Sequence, residues 1–299
     1  MPPLYDAHQH FHFDPLIPYR PALMADLRAI GLQRAVVNAT NEDEWPVVAA
    51  LAREHAWILP SFGLHPWDCG NRSAAWLEKF RAALLADPTA GVGEIGLDRW
   101  IIDGIKPDDP RIAGLRVAPL DEQAAVFAAQ LALAAEFNRA ASIHCVQAYG
   151  ALLKVLQKSP RPARGFLLHG YGGPAEMIKT FADLGAYFSF NLEVITRAGR
   201  ASPPDEPSSA PGSSGTTRPT SLEVWKFIPA DRLLVETDAP TKPPAGELNR
   251  FPLPPAADGS VVNNPANLAV TYEQLAKLRH VPLSTLAPQV EQNFRRLFL

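Results

Sequence analysis

Short apolar runs alternate along this chain with longer stretches in which apolar side chains recur every three or four residues. The short runs are Leu4–His10, Ala35–Thr40, Trp57–Leu64, Ala90–Leu97, Ala141–Cys145, Gly165–His169, Ala186–Asn191 and Arg232–Asp238. Val92–Leu97 and Leu233–Val235 within them are nearly continuous in apolar residues, as strands buried on both faces are. The longer stretches Ala22–Ile30, Asp43–His55, Ser73–Ala86, Leu120–Asn138, Ala148–Lys158, Ala175–Leu184 and Ser221–Phe227 read as helices. In the fourth, Ala124, Phe127, Ala128, Leu131, Ala134 and Ala135 keep helical spacing, and Asp121 and Glu122 suit the positive end of a helix. Strand alternating with helix predicts a parallel sheet. Eight such units predict an α/β fold closed as a (β/α)8 TIM barrel, one domain over 1–299. An open doubly wound sheet is the alternative. It is weakened because no G-x-G-x-x-G follows the first strand and no G-x-x-x-x-G-K-[ST] occurs.

Three segments fit neither period: Arg99–Pro119, Ala201–Thr220 and Thr241–Asn264. They are read as long insertions in the loops after strands 4, 7 and 8, the side on which a barrel builds its active site. Ala201–Thr220 has no large aliphatic or aromatic residue, so it is expected to stay outside the core. Pro265–Leu299 reads as two helices that close the barrel.

Composition narrows the function. The 28 Lys+Arg against 31 Asp+Glu give a net charge of −3, which excludes attraction of nucleic acid by bulk charge and leaves any phosphate to a local site. Cys69 and Cys145 are too few for a disulfide framework or a cysteine-rich zinc site. No apolar run approaches a membrane span of roughly 18 residues, and Met1–Asp6 is not a secretory signal, so a cytoplasmic protein is expected.

The candidate chemistry lies at strand ends. Asp6-Ala7-His8-Gln9-His10 alternates, so His8 and His10 share a face and form a pair of nitrogen ligands for a metal. Glu94, His144, His169 and Asp238 each end an apolar run before a turn. In a barrel these positions converge on one mouth. Any one of them alone has a structural explanation, such as a carbonyl hydrogen bond or a helix cap. Five strands delivering such residues to the same end make a shared site the better reading. Asp6 is read as supporting the ligands, Cys145 as facing away from them, and His12, His55 and His280 as outside the site.

These strings resemble the TatD family of metal-dependent hydrolases, within the amidohydrolase-like barrels. The resemblance covers most of the chain: D-x-H-x-H at Asp6, Gly63-Leu64-His65-Pro66, Gly93-Glu94-Ile95-Gly96-Leu97-Asp98, His144 and His169-Gly170. It continues through Glu236-Thr237-Asp238-Ala239-Pro240, Asn264-Pro265-Ala266-Asn267-Leu268 and Asn293–Phe298. It implies a two-metal hydrolase of phosphodiesters, usually DNA. His8, His10 and Asp238 would ligate one metal and His144 and His169 the other. Glu94 would bridge them, and His65 would meet the substrate phosphate. Two ions about 3.5–4 Å apart can hold a hydroxide nucleophile, with Asp238 as the expected general base. Histidine with carboxylate suits Zn, Mn, Ni or Fe, and Mg less well.

Two departures bear on the substrate. The family often carries an arginine two positions after the strand-5 histidine, where this chain has His144-Cys145-Val146-Gln147. Ala201–Thr220 replaces a region that is often basic. The remaining cations near the mouth are Arg99, Arg197, Lys242 and Arg250, and Trp67 and Trp100 follow strands 3 and 4. The expected substrate is thus a phosphodiester, single-stranded DNA included, or another small anion. No obligate protein partner is expected. The alternative activity is a small-molecule amidohydrolase or esterase with the same metals. A barrel without catalysis fits poorly with a full set of ligands.

Overall fold

The computed structural model describes residues 2–198, 222–256 and 258–299. The eight strands are β1 (Leu4–Gln9), β2 (Leu32–Asn38), β3 (Ile58–Phe62), β4 (Gly91–Asp98), β5 (Ala141–Val146), β6 (Phe166–Leu168), β7 (Ala186–Phe190) and β8 (Leu233–Val235). Each pairs in parallel with the next in chain order. The helices are α1 (Arg20–Ala29), α2 (Glu44–Glu54), α3 (Trp76–Ala86), α4 (Trp100–Asp103), α5 (Leu120–Glu136), α6 (Tyr149–Lys158), α7 (Ile178–Asp183), α8 (Glu193–Ala198), α9 (Val224–Phe227), α10 (Leu268–Leu278) and α11 (Leu283–Phe298). This is the eight-stranded parallel barrel that the pattern predicts. Among the described residues no helix is long and apolar enough to cross a membrane.

The seam between β8 and β1 is closed just past the end of β8. The Asp238 amide donates to His8 O (3.0 Å), and the His10 amide donates to Ala239 O (2.7 Å). The buried Asp6 carboxyl reinforces this seam: its Oδ2 is hydrogen-bonded with Thr237 Oγ1 (2.6 Å), and its Oδ1 accepts from Thr237 N (3.1 Å) and His8 N (3.2 Å). Outside, α10 and α11 cover the seam as expected. The Tyr272 hydroxyl donates to Tyr5 O at 2.9 Å, and the Phe294 ring packs 5.0 Å from that of Tyr5.

Inside the barrel small residues meet. A Cβ on Gly93 would lie 2.7 Å from Ser142 Cβ and 2.9 Å from Asn38 Oδ1, so only glycine permits that approach. Just beyond it β4 carries an extra residue relative to β5, with Val92 opposite Ala141 but Ile95 opposite Ile143. This bulge presents Glu94 to the barrel mouth. β1 has a comparable register shift between Asp6 and Gln9, so its ligand face is not set by simple alternation alone.

Several expected strand ends are trimmed, whereas β4 and β5 each run one residue further and β2 begins earlier. His10, His169 and Asp238 lie just past the ladders, on loop backbone. Asp238 adopts φ 54°, a left-handed conformation that aspartate tolerates better than most residues. The segment after β4 contains the helical turn α4 and a 3-10 turn, Pro110–Ile112, and that after β8 contains a 3-10 turn, Gly246–Leu248, among its described residues. Ala201–Thr220 lies outside the described residues. Of the expected helix Ser221–Phe227, Val224–Phe227 is helical, and Ser221 lies outside the described residues. Helix α8 was not expected; Asn191 Oδ1 starts it by accepting the Glu193 amide at 3.1 Å.

Candidate metal centre

Glu94 is the hub of the mouth. Its Oε2 lies 3.2 Å from His8 Nε2 and 3.3 Å from His10 Nε2. Its Oε1 lies 2.8 Å from His169 Nε2, 2.9 Å from His144 Nδ1 and 3.3 Å from His65 Nε2. Asp238 Oδ1 stands 3.6 Å from His10 Nε2 and 4.0 Å from His8 Nε2. The structure therefore brings together His8, His10, His65, Glu94, His144, His169 and Asp238, every site residue expected from the sequence. His8, His10, Glu94 and Asp238 are buried, while the other three imidazoles keep a partly open edge.

Three of the rings are hydrogen-bonded from behind, and His169 has a carboxylate behind it at longer range. His10 Nδ1 lies 2.7 Å from Asn38 O. A carbonyl only accepts, so Nδ1 carries the proton and the neutral ring aims the Nε2 lone pair at the centre. His8 Nδ1 is flanked by Ser142 Oγ at 2.8 Å and Asn38 Nδ2 at 3.1 Å. His144 Nε2 lies 3.1 Å from Asp98 Oδ2, which also accepts the Trp67 indole N–H at 2.8 Å. Behind His169 lies Glu236 Oε1, 3.7 Å from Nδ1 and too far for a hydrogen bond. Glu236 is fully buried and accepts from Asn191 Nδ2 (2.8 Å) and Ser189 Oγ.

His65 differs from the others. The Trp67 amide donates to its Nδ1 at 3.2 Å. The neutral ring then keeps its proton on Nε2, so it offers the centre a donor rather than a lone pair.

The electrostatics favour bound cations. Burial pushes Glu94 up, but His169, His65, His8 and His10 outweigh it and hold the carboxyl far below its usual range. Burial pushes His169 down, but Glu94 and Glu236 raise it well above an ordinary histidine. His10 and His144 are also raised against burial, by Glu94 with Asp238 and by Asp98 with Glu94 respectively. Burial and the charge of His169 bring His8 down to about 4. A cavity whose carboxylates favour positive charge on its imidazoles also favours a bound cation, and imidazole with carboxylate is a fitting donor set. Three sets of ligand atoms lie within 4.8 Å of one another: His8–His10–Asp238, His8–Glu94–His169 and His65–Glu94–His144.

Asp98, Glu236, Asn38 and Ser142 were not assigned roles from the sequence. Asp98 closes the Gly93–Asp98 string, and Glu236 lies two residues before Asp238; both were visible as acids near ligands. His12 stays outside the cluster, with Nε2 3.0 Å from Glu44 Oε2. Lys242 and Arg250 are ion-paired, with Glu193 at 2.9 Å and Glu273 at 2.6 Å. The side chain of Arg197 lies outside the described residues.

A parallel barrel that gathers imidazoles and carboxylates at the C-terminal mouth of its strands has the architecture of a metal-dependent hydrolase. The chain belongs to the TatD related DNase family, whose model matches residues 5–299. It is 28% identical over 295 residues to the metal-dependent hydrolase YjjV of Escherichia coli (strain K12), covering 98% of this chain and 96% of that protein. It is also 28% identical over 278 residues to the 3'-5' ssDNA/RNA exonuclease TatD of Enterobacter lignolyticus (strain SCF1), covering 93% of this chain and 92% of that protein. The crystal structure of the TatD homologue YjjV from Escherichia coli K12 has the same fold, with a TM-score of 0.76 at 24% identity, covering 99% of this chain and 97% of that one.

Proposed function

We propose that this enzyme hydrolyses phosphodiester bonds, with single-stranded nucleic acid as its substrate, at a centre of two divalent ions. The observation that carries this reading is Glu94, whose two oxygens divide the imidazoles into two groups 2.8–3.3 Å away. The names of relatives such as the TatD exonuclease support the substrate class. His8, His10 and Asp238 would hold one ion, His144 and His169 the other, with Glu94 shared. The ions, drawn from Zn, Mn, Ni, Fe or Mg, would supply Lewis acidity and an activated water. His65, with its proton on Nε2, donates to a non-bridging phosphate oxygen. Asp238 takes the proton of the attacking water, because its carboxylate faces the centre beside His10. Asp6 and Asn38 fix the backbone and rings that aim these groups.

A second reading, a small-molecule amidohydrolase or esterase, is favoured by the pairing of Lys242 and Arg250 with acids, which leaves fewer cations for a long anionic substrate. Metal analysis of the purified protein, followed by a screen of single-stranded oligonucleotides, bis-nitrophenyl phosphate, esters and amides, separates the two. Two metal equivalents and cleavage of oligonucleotides are expected. Turnover of amides or carboxylic esters with every phosphodiester untouched would establish the second reading instead.

A further inference from the structure

Beside the metal centre lies an aromatic pair that the chemistry above does not use. Trp67 lies in the loop after β3, and Trp100 opens α4 after β4. Their rings are 23° from parallel with centroids 6.0 Å apart, so together they form one offset slab. Both indoles are only half-buried.

The two rings are held in place by their neighbours. A Cβ on Gly104 would collide with Trp100 Cδ1, so glycine is what lets that ring lie across its helical turn. The Arg111 guanidinium stands 5.0 Å from the Trp100 ring centre. Two glutamines on α5 clamp the parent loops by paired bonds. Gln130 accepts from Leu64 N (2.7 Å) and donates to Leu64 O (3.1 Å). Gln123 does the same with Asp98 N (2.8 Å) and Asp98 O (3.1 Å). The Trp67 indole N–H and His144 Nε2 meet at the same Asp98 oxygen. One turn thus carries both the inward-facing N–H of His65 and the indole of Trp67, with ring centres 6.2 Å apart.

Charge at the rim singles out the same place. Lys242, Arg250 and Arg111 are each held by a carboxylate. Arg99, between Asp98 and Trp100, is exposed and has no carboxylate partner among the described residues.

We propose that the Trp67–Trp100 slab and Arg99 form a subsite for a nucleobase and its adjoining phosphate on single-stranded nucleic acid, next to the bond being cut. The inference rests on the phosphodiesterase reading and specifies how such a substrate is held. A nucleotide whose phosphate meets His65 lays its base on the Trp67–Trp100 slab, and Trp100 is the ring that carries the stacking. Every base has a π-face, so stacking grips the strand without selecting sequence, and Arg99 takes the neighbouring phosphate.

The test measures binding, apart from cleavage. Fluorescently labelled oligothymidylates with phosphorothioate links, which slow hydrolysis, are titrated with the metal-loaded protein and followed by anisotropy. A single abasic residue is moved along the strand. In the native protein one abasic position should weaken binding about tenfold. In Trp100→Leu the intact and abasic strands should bind alike, and Trp100→Phe should restore the difference. Arg99→Ala should weaken both strands equally and flatten the salt dependence by about 0.7 in log–log slope. The subsite is overturned if no abasic position matters in the native protein, or if a folded Trp100→Leu, checked by circular dichroism, keeps the full difference. Cleavage of oligonucleotides without base discrimination would overturn the subsite alone. Base discrimination in binding by a protein that cuts only amides or esters would overturn the phosphodiesterase reading while supporting the subsite.

Discussion

The half of the mouth where β1 meets β8 and the half built by β4, β5 and β6 hold their imidazoles by different means. At the seam, His8 and His10 are buried, and neutral groups stand behind them: Asn38 O, the Asn38 amide and Ser142 Oγ. On the outer half, His144 and His169 are partly open and carboxylates stand behind them: Asp98 at 3.1 Å and Glu236 at 3.7 Å. A carboxylate behind an imidazole makes it more basic toward a metal and toward a proton alike. The two proposed metal positions should therefore differ: one is set by burial and fixed geometry, the other by charge and open to proton competition.

Glu94 belongs to both halves, so its loss should have the largest effect. Glu94→Gln keeps the shape and removes the charge shared by the two groups of imidazoles. It is expected to cost one metal equivalent and at least about 10²-fold in turnover, as when a group that stabilises charge in the transition state is removed. Elemental analysis and oligonucleotide cleavage check this, with His12→Ala as the matched control. Full activity in Glu94→Gln together with metal loss in His12→Ala would assign the centre to the wrong residues.

Removing a backing carboxylate should touch one half alone. Asp98→Asn retains an oxygen for the Ile101 amide, which Asp98 Oδ1 accepts at 3.1 Å, but takes the charge away from His144. Glu236→Gln does the same behind His169. Each is expected to weaken one ion about 10–100-fold and leave the other in place. Competitive chelator titration reads the two sites separately; equal weakening of both would erase the distinction between the halves.

The contrast also explains what the sequence could reveal. The barrel was legible because its strands are buried on both faces, which leaves continuous apolar runs such as Val92–Leu97 and Leu233–Val235. The ligands were legible because they end those runs. Glu94 was found from its string, but its aim depends on the one-residue bulge in β4, a register feature with no signature in hydropathy. Asp98 and Glu236 were printed in the same strings as the ligands. Their roles depend on contacts between strands, with His144 on the neighbouring β5 and with His169 beyond β6. Helix α8 was missed because its start depends on one Asn191 side-chain bond in a segment without clear periodicity.

Acidification should next separate the halves, by a smaller margin. His144 and His169 are both raised above the usual histidine value, which strengthens the competition of protons with an incoming ion. His10 is raised as well, whereas His8 lies at about 4 and is already neutral near pH 7. Metal affinity should rise with pH in both halves, more steeply in the outer one, where both imidazoles are raised. On acidification the outer ion should leave first. Calorimetric metal titrations at three pH values check the slopes, and equal slopes would contradict the contrast.

The smallest effect is expected at the seam itself. Burial raises the Asp6 carboxyl to about 8, against the lowering bonds from Thr237 and His8. Asp6 is therefore largely protonated in the fold at pH 7, although the unfolded chain would ionise it near pH 4. The sign is the reverse of a salt-bridged aspartate. Here the fold favours the protonated form, so stability is full below about pH 4 and declines as pH rises toward 8. Asp6→Asn has the shape of the protonated acid. Its oxygen can accept both amides, and its NH2 can face the Thr237 hydroxyl, so near pH 5 the change in stability should be within about 1 kcal/mol. The variant has no carboxyl to titrate, so it should gain on the native protein between pH 5 and 8. Asp6→Ala leaves the Thr237 and His8 amides buried without partners and should cost about 1–3 kcal/mol for each. Urea unfolding of the three proteins across this range gives the answer. A native protein that becomes more stable relative to Asp6→Asn as pH rises would mean that the seam is held by an ionised carboxylate, and that charge governs both halves of the mouth.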